Sequence, residues 1–305
     1  MSHKAAPTQT IWKALMRIVY HLGAHCTDEE RLLRCLLKNR GALAAEGIIV
    51  PGPAKYRTLL RDTAMALKGQ PATQDTQALV LDQIMSESEA NRLILSWDNF
   101  LGYAQGAVRN GIYSSGAERM FAFCQVFPGI EAEFHLAIRN PATFVPAVFQ
   151  KQSGRSYHEF MDGVQVDSLR WSTLIAALRA TNPDMPVTVW CDEDTPLLWP
   201  EVLQAVSGHS SAITLADTDD LVASIMSADG LQRMASYMES HPPQNPAQRR
   251  RVVSAFLDKF ALPEQVDYLI DMEGWSEDLI DRTTQAYDQD VSRIMAMDGV
   301  TFLTP

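Results

Sequence analysis

Apolar and polar positions recur along the chain with two periods, one typical of strands and one typical of helices. Together the two periods predict an α/β fold. Residues 17–22 form a short apolar run that is partly β-branched and ends at Gly23, which predicts a strand. From Asp28 onward the leucines recur on one helical face, which predicts a helix that Gly41 ends. Residues 17–40 are therefore predicted to form a strand, a tight turn and a helix.

The same two periods predict the elements of the rest of the chain. Strands are predicted at 92–97, 130–138 and 186–191, and the closing VTFLTP is either a last strand or an extended tail. Helices are predicted at 75–86, 115–126, 141–151, 167–180, 219–239, 246–260 and 276–297. This alternation favours a mostly parallel sheet with helices on both faces. We predict one α/β domain over residues 1–305, with residues 244–305 as its helical C-terminal portion.

Three loop segments follow three of the predicted strands and are the first candidates for a site. These segments are Gly23–Glu30, Asp98–Gly102 and Arg139–Ala147. Ligands of parallel α/β folds bind at the carboxyl ends of the strands, so we expect the three segments to share one rim of the sheet. Asp192–Asp194 follows the fourth predicted strand and is a second acidic turn, which is interpreted as a capped or solvated loop, with a hard-cation site as the alternative.

The charge of the chain argues against nucleic acid as a partner. Lys and Arg number 26 and Asp and Glu number 37, which gives a net charge of −11. Non-specific nucleic-acid binding needs a positive surface, and the one basic run, Arg249–Arg251, is interpreted as a solvated helix face.

The apolar runs and the cysteines together favour a cytoplasmic protein. No run reaches the roughly 18 apolar residues of a membrane helix, so we expect no membrane association. Lys13 and Arg17 interrupt the apolar residues near the N-terminus, which is not the pattern of a signal peptide. The cysteines at 26, 35, 124 and 191 lack a Cys-x-x-Cys spacing, so we expect reduced thiols.

Several segments resemble, in their order and spacing, the motifs of one enzyme family. They are YHLGAHCT and LLKNRGALAAEGIIVPG near the N-terminus, LILSWDNFLG, AIRNPATFVPAVFQKQ and the closing LIDRTTQAYDQDVSRI. Taken together they resemble bacterial sulfotransferases, whose first loop has the form HxGxHKTGTT. The resemblance implies a P-loop-type sulfotransferase fold and a sulfuryl donor, 3′-phosphoadenosine-5′-phosphosulfate (PAPS).

The resemblance also assigns roles to individual positions. Those assigned to the donor are Gly23, Ala24, His25, Cys26 and Thr27 for the 5′-phosphosulfate, and Arg139 and Ala147 for the 3′-phosphate. Asp98 would be the general base that takes the proton of a hydroxyl acceptor, such as a carbohydrate. The alternative for Asp98 is an N-cap of the segment that follows it.

This chain departs from the family where the family binds its donor. The loop lysine falls on Cys26, the Gly-Thr-Thr falls on Asp28-Glu29-Glu30, and the 3′-phosphate serine falls on Ala147. A carboxylate about 4 Å from an anion repels it by about 1 kcal/mol in water and by several-fold more in a dry cleft. We therefore expect PAPS and its product, 3′-phosphoadenosine-5′-phosphate (PAP), to bind weakly or not at all, and no other cofactor is predicted.

Two local interpretations of the acidic turn need no ligand. Thr27 and Glu30 match a capping box, in which Thr27 is the N-cap and Glu30 bonds back to its amide. Arg139 is expected to form a salt bridge with an acidic turn, and Asp28–Glu30 is the first candidate for its partner.

Three functions remain open on the sequence. The first is a sulfotransferase-like protein without a working donor site, which has a non-catalytic binding or assembly role or uses another donor. The second is an active sulfotransferase in which Arg139 and the loop backbone hold PAPS and Asp98 is the base. The third is a metal- or thiol-dependent enzyme that uses Cys26 and the acidic rim, although no metal site is assigned. A carbohydrate or other small molecule is the expected ligand, and no protein partner is indicated.

Overall fold

Six strands form one parallel sheet in the computed structural model, which describes residues 16–87, 89–266, 270, 272 and 274–305. Lys13, on which part of the N-terminal prediction rests, lies outside the described residues. The strands are β1 (Arg17–His21), β2 (Ile48–Ile49), β3 (Arg92–Ser96), β4 (Glu131–Ile138), β5 (Val187–Cys191) and β6 (Val300–Leu303). Their spatial order is β2-β3-β1-β4-β5-β6, and every pairing is parallel. The predicted α/β class is confirmed.

The helices that surround the sheet begin and end as follows. They are α1 (Arg31–Lys38), α2 (Arg40–Ala44), α3 (Pro53–Leu67), α4 (Gln74–Ile84), α5 (Gly116–Cys124), α6 (Pro141–Gln150), α7 (Tyr157–Met161), α8 (Trp171–Thr181), α9 (Thr195–Ser207), α10 (Asp220–Ile225), α11 (Ala228–Ser240), α12 (Pro246–Phe260), α13 (Pro263–Val266) and α14 (Glu277–Met295). Short 3₁₀ turns occupy Ala104–Gly106, Val166–Ser168 and Asp192–Asp194.

Two of the predicted helices are interrupted. The helix predicted up to Gly41 ends at Lys38, and Gly41 lies inside the short α2 that follows. The helix predicted over 219–239 is divided into α10 and α11, because the hydroxyl of Ser227 accepts the amide of Gly230 and starts a new helix there. Polar residues that cap a helix therefore set boundaries that the apolar period alone does not show.

Both faces of the sheet are covered by helices. Ile18 and Tyr20 of β1 pack in the larger core cluster, which includes Trp171 of α8. Val19 points to the opposite face and packs in a second cluster with Trp199 of α9. This alternation along β1 is what a parallel strand buried on both sides requires.

The end of the chain joins the same sheet. Helix α14 packs against α6 and α8, and the strand β6 that follows it pairs with β5. The prediction of a strand in the closing residues is therefore confirmed, and the extended tail is not what forms. Among the described residues, no helix combines the length and the apolar character that crossing a bilayer requires.

Candidate functional site

The carboxyl ends of β1, β3 and β4 meet at one rim of the sheet, as predicted. β1 lies between β3 and β4. The connection that leaves β1 runs to β2 on one side, whereas the connection that leaves β3 crosses to β4 on the other. Such a switch point opens a crevice for ligands in parallel α/β folds. At Gly23 the loop after β1 passes very near the loop after β3. The φ of Gly23 is +89°, and a Cβ there would lie 3.1 Å from the Cα of Asp98.

The rim loop, Gly23–Glu30, connects β1 to α1 in a conformation that differs from the predicted capping box. Thr27 donates its hydroxyl to the carbonyl of Ala24 at 2.8 Å and does not cap α1. Glu29 and Glu30 have left-handed φ values of 50° and 63°, and α1 begins only at Arg31. The capping-box prediction is therefore wrong, because the left-handed residues move the helix start beyond the position that Thr27 could cap.

Asp28 takes the capping role instead. Its Oδ2 accepts the amide of Leu32 at 2.9 Å, and its carbonyl accepts the amide of Arg31 at the same distance. The first amides of a helix have no intrahelical acceptor and attract anions. Asp28 thus places a carboxylate of the protein itself at a position that would otherwise attract an anion.

The other two carboxylates of the rim loop are neutralised by cations from distant elements. Glu30 pairs with Arg57 of α3 at 2.7 Å, and Glu29 lies 3.7 Å from the ammonium of Lys151, which follows α6. Arg57 also donates to the carbonyl of Ser96 at the end of β3. Sequence reasoning missed both cations, since α3 was not predicted and no local pattern links Lys151 to the loop.

These contacts predict different stabilities for two alanine variants. Asp28→Ala should lower the free energy of unfolding by about 1 kcal/mol, because it removes the acceptor of the Leu32 amide. Glu30→Ala should cost less than about 0.5 kcal/mol, because its ion pair with Arg57 lies at the surface. Urea unfolding of both variants measures the difference. A larger loss of unfolding free energy for Glu30→Ala than for Asp28→Ala would contradict these contacts and favour the capping box.

Arg139 lies at the end of β4, where the sequence placed it, but it is directed into the protein. Its side chain is 5% exposed, and it donates to the carbonyl of Cys26 and, from Nε at 3.0 Å, to the hydroxyl of Thr143. Nε also lies 4.0 Å from Oδ2 of Asp192. The expected salt bridge with an acidic turn therefore forms with the second of these turns, at Asp192.

Burial at this junction changes the protonation of Asp192. Desolvation raises the pKa of the Asp192 carboxyl to about 7, while the positive charge of Arg139 acts in the opposite direction. The next residue, Glu193, accepts the amide of Asn140 at 2.7 Å and ties the acidic turn to the start of α6. Arg139, the rim loop and the second acidic turn thus form one internal junction.

The remaining donor position does not supply a phosphate contact. Ala147 lies on α6, is half-buried and packs against the main core cluster. A methyl side chain has no hydrogen-bond donor. With the helix amide taken by Asp28 and the Arg139 guanidinium bonded inside the protein, the residues present do not fit PAPS.

Asp98 lies at the rim beside His25, within a small polar network. Its Oδ1 accepts from the side-chain Nδ2 of Asn99 at 3.2 Å, and its Oδ2 lies 3.9 Å from Nε2 of His25. His25 Nδ1 is 2.6 Å from the hydroxyl of Tyr113, and burial lowers the pKa of His25. No helix starts at Asp98, because the next turn of 3₁₀ helix has Tyr103 at its N-cap, so the N-cap alternative is wrong. Asp98 remains a half-exposed acceptor on the rim.

Cys26 lies in the wall of the same crevice, but its surroundings disfavour a nucleophile. Burial raises the pKa of its thiol to about 11. The thiol is the weak form of the nucleophile, and it predominates well below that pKa. His25 is bonded to Tyr113 and Asn99, and His21 to Ser96 through Nδ1; among the described residues, no hydrogen bond joins either ring to the Cys26 thiol.

The crevice forms a pocket of about 290 Å³, which we call the rim pocket. Its wall contains His21, Gly23, Ala24, Cys26, Asp28, Glu29, Glu30, Arg57, Ser96, Asp98 and Lys151. The structure therefore brings part of the rim loop together with Asp98. Of the residues that the resemblance assigned, those outside the wall are His25, Thr27, Arg139 and Ala147. Among the residues that the structure describes, no three His, Cys, Asp or Glu side chains are grouped to hold a metal ion.

Comparison with known proteins identifies no relative that would assign a function to this site. No protein-family model matches the chain, and no curated protein matches it either. The likeness to sulfotransferases rests on the motifs of the sequence alone.

Proposed function

We propose that this chain is a sulfotransferase-like protein with a non-catalytic binding role, which takes a small molecule at the rim and does not use PAPS. One observation carries the proposal: the carboxylate of Asp28 accepts the Leu32 amide at the start of α1. An anion at that position would have to compete for the Leu32 amide with a carboxylate that belongs to the chain itself. It would also approach two further carboxylates, Glu29 and Glu30.

The surroundings of Arg139 support the same proposal from the opposite side of the rim loop. A phosphate-binding arginine needs its guanidinium fork exposed to the ligand. Here the fork holds the carbonyl of Cys26 and the hydroxyl of Thr143, and the side chain is almost fully buried. Arg139 in this arrangement stabilises the loop as an internal counter-charge, which is a structural role.

The thiol- or metal-dependent alternative has less support. Cys26 carries a thiol whose pKa is raised, and the described residues offer no grouped metal ligands. We also infer a cytoplasmic location, because Cys26, Cys35, Cys124 and Cys191 are all free and buried, as suits a reducing compartment.

Calorimetric titration with PAP tests the proposal. We expect no saturable heat up to about 1 mM PAP, which corresponds to a binding free energy weaker than about −4 kcal/mol. The sample must unfold cooperatively in urea, so that a silent titration reports on the folded protein. Saturable binding in the micromolar range would contradict the proposal and favour the active sulfotransferase, with Asp98 as its base.

A further inference from the structure

The rim pocket has an excess of negative charge that its own cations do not balance. Its wall has four carboxylates and two cationic side chains. Arg57 and Lys151 lie beside Glu30 and Glu29, the two carboxylates at the outer edge. Within the described part of the chain, Asp28 and Asp98 have no lysine or arginine within ion-pair distance. These two carboxylates therefore remain as acceptors in the pocket.

A buried histidine in the same wall has an unused ring nitrogen. His21 ends β1, is 3% exposed, and places Nδ1 2.9 Å from the hydroxyl of Ser96. Its Nε2 has no hydrogen-bond partner among the described residues. Buried polar atoms in proteins are nearly always bonded, so an unpartnered one in a pocket wall indicates a ligand contact.

The charge state of His21 decides what the unused nitrogen would accept. Burial lowers the pKa of His21, and His135 acts in the same direction, although Asp28 and Asp98 both act to raise it. The ring is therefore neutral at neutral pH. When Nδ1 donates to Ser96, Nε2 presents a lone pair and is a hydrogen-bond acceptor.

We propose that the rim pocket binds the primary ammonium group of a small organic amine, with Asp28, Asp98 and Nε2 of His21 as its acceptors. This proposal rests on the proposed function and names the ligand class of that site. A primary ammonium has three N–H donors, which matches three acceptors of which two are charged. Asp28 has two carboxylate oxygens and can accept from Leu32 and from the ligand together.

The size of the pocket admits more than the ammonium group. A volume of 290 Å³ equals the liquid volume of roughly ten water molecules. The ligand can therefore carry hydroxyl groups or a sugar ring beside the nitrogen. The volume of the pocket also exceeds that of choline, the methylated cation used as a probe below.

Three small probes of similar skeleton separate the ammonium group from simple charge. Ethanolamine has a charged N–H₃ group, choline keeps the charge without N–H donors, and ethylene glycol has neither. In calorimetry at neutral pH and constant ionic strength, ethanolamine should bind saturably in the millimolar range or tighter. Choline and ethylene glycol should bind at least about tenfold more weakly, as expected when N–H donors meet charged acceptors.

Three variants locate the binding. Asp98→Asn should weaken ethanolamine binding at least about tenfold, and its half-exposed side chain makes the substitution tolerable for folding. Lys151→Met should tighten binding, because it removes a competing cation from the wall. Asp82→Asn removes the same charge from the exposed surface of α4, outside the pocket wall, and should leave binding unchanged.

Several results would overturn the ammonium assignment. They are the absence of saturable ethanolamine binding, equal binding of choline, and unchanged binding in Asp98→Asn. If PAP gives no saturable heat in the same calorimetric assay, these results reject the ammonium ligand and leave the proposed function intact. Saturable PAP binding would reject the proposed function itself.

Discussion

Replacing Arg139 with methionine should lower the free energy of unfolding by about 3 to 4 kcal/mol. The guanidinium is buried, donates to Cys26 and Thr143, and faces the Asp192 carboxyl. Methionine preserves much of the side-chain volume but leaves these buried acceptors without their donor, and loss of one partner of a buried ion pair costs about 3–5 kcal/mol. Urea unfolding at pH 8 measures the loss.

A matched surface variant separates this effect from the loss of charge alone. Arg34 is exposed on α1, and Arg34→Met should change the unfolding free energy by less than about 0.5 kcal/mol. If Arg139→Met cost as little as Arg34→Met, the guanidinium would not be what holds the rim loop against β4.

The second large effect concerns the pH dependence of stability. Burial raises the pKa of Asp192 to about 7 from an ordinary value of 3.8. Between these two pH values the folded chain keeps a proton that the unfolded chain releases. The stability contributed by this group is therefore complete below about pH 4 and is lost as the pH rises through 7.

Asp192→Asn should remove that loss. From pH 5 to pH 8 the variant should gain about 2 to 3 kcal/mol relative to the unmodified protein, since about 1.36 kcal/mol per pH unit acts over roughly two units. Buried histidines titrate in both proteins, and their contributions cancel in the comparison. Urea unfolding at the two pH values gives the number.

The control for the pH experiment is Asp82→Asn, whose carboxyl lies on the exposed surface of α4. Its stability relative to the unmodified protein should be the same at pH 5 and pH 8. A pH-independent difference for Asp192→Asn would mean that the folded protein already holds this carboxyl ionised at pH 5.

The strands of this fold could be predicted where they are long and apolar. β1, β3, β4 and β5 have four or more buried residues each, and the sequence placed all four. β2 has only Ile48 and Ile49, too few to show a period. Helix α9 contains Pro200 in its interior, which ordinarily argues against a helix and hid this element from the pattern.

The rim itself could be predicted, but its local chemistry could not. Thr27 and Glu30 have the spacing of a capping box, and nothing in that spacing shows the left-handed φ of Glu29 and Glu30. A positive φ at a non-glycine residue is set by tertiary contacts, here including the ion pairs of these residues with Lys151 and Arg57. The sequence pattern therefore identified an acidic turn and assigned the cap to the wrong residue.

The partners of the charged groups were the least predictable part of the site. Arg57, Lys151 and Asp192 come from three different elements that no local period connects to the rim loop. Topology decides which charges meet: Arg139 follows β4, which lies between β1 and β5, so its guanidinium reaches both the Cys26 carbonyl of the rim loop and Asp192 after β5. The losses at Cys26 and Ala147 could be recognised in the sequence because the resemblance specifies those positions.

Amide hydrogen exchange at Leu32 tests most directly the claim that the Asp28 carboxylate already occupies the anion position of the rim loop. Leu32 lies in the first turn of α1, where an amide has no intrahelical acceptor, and Asp28 is its observed partner. We predict that this amide is protected without ligand and that about 1 mM PAP adds no protection. An unprotected Leu32 amide that becomes protected when PAP is added would contradict the account.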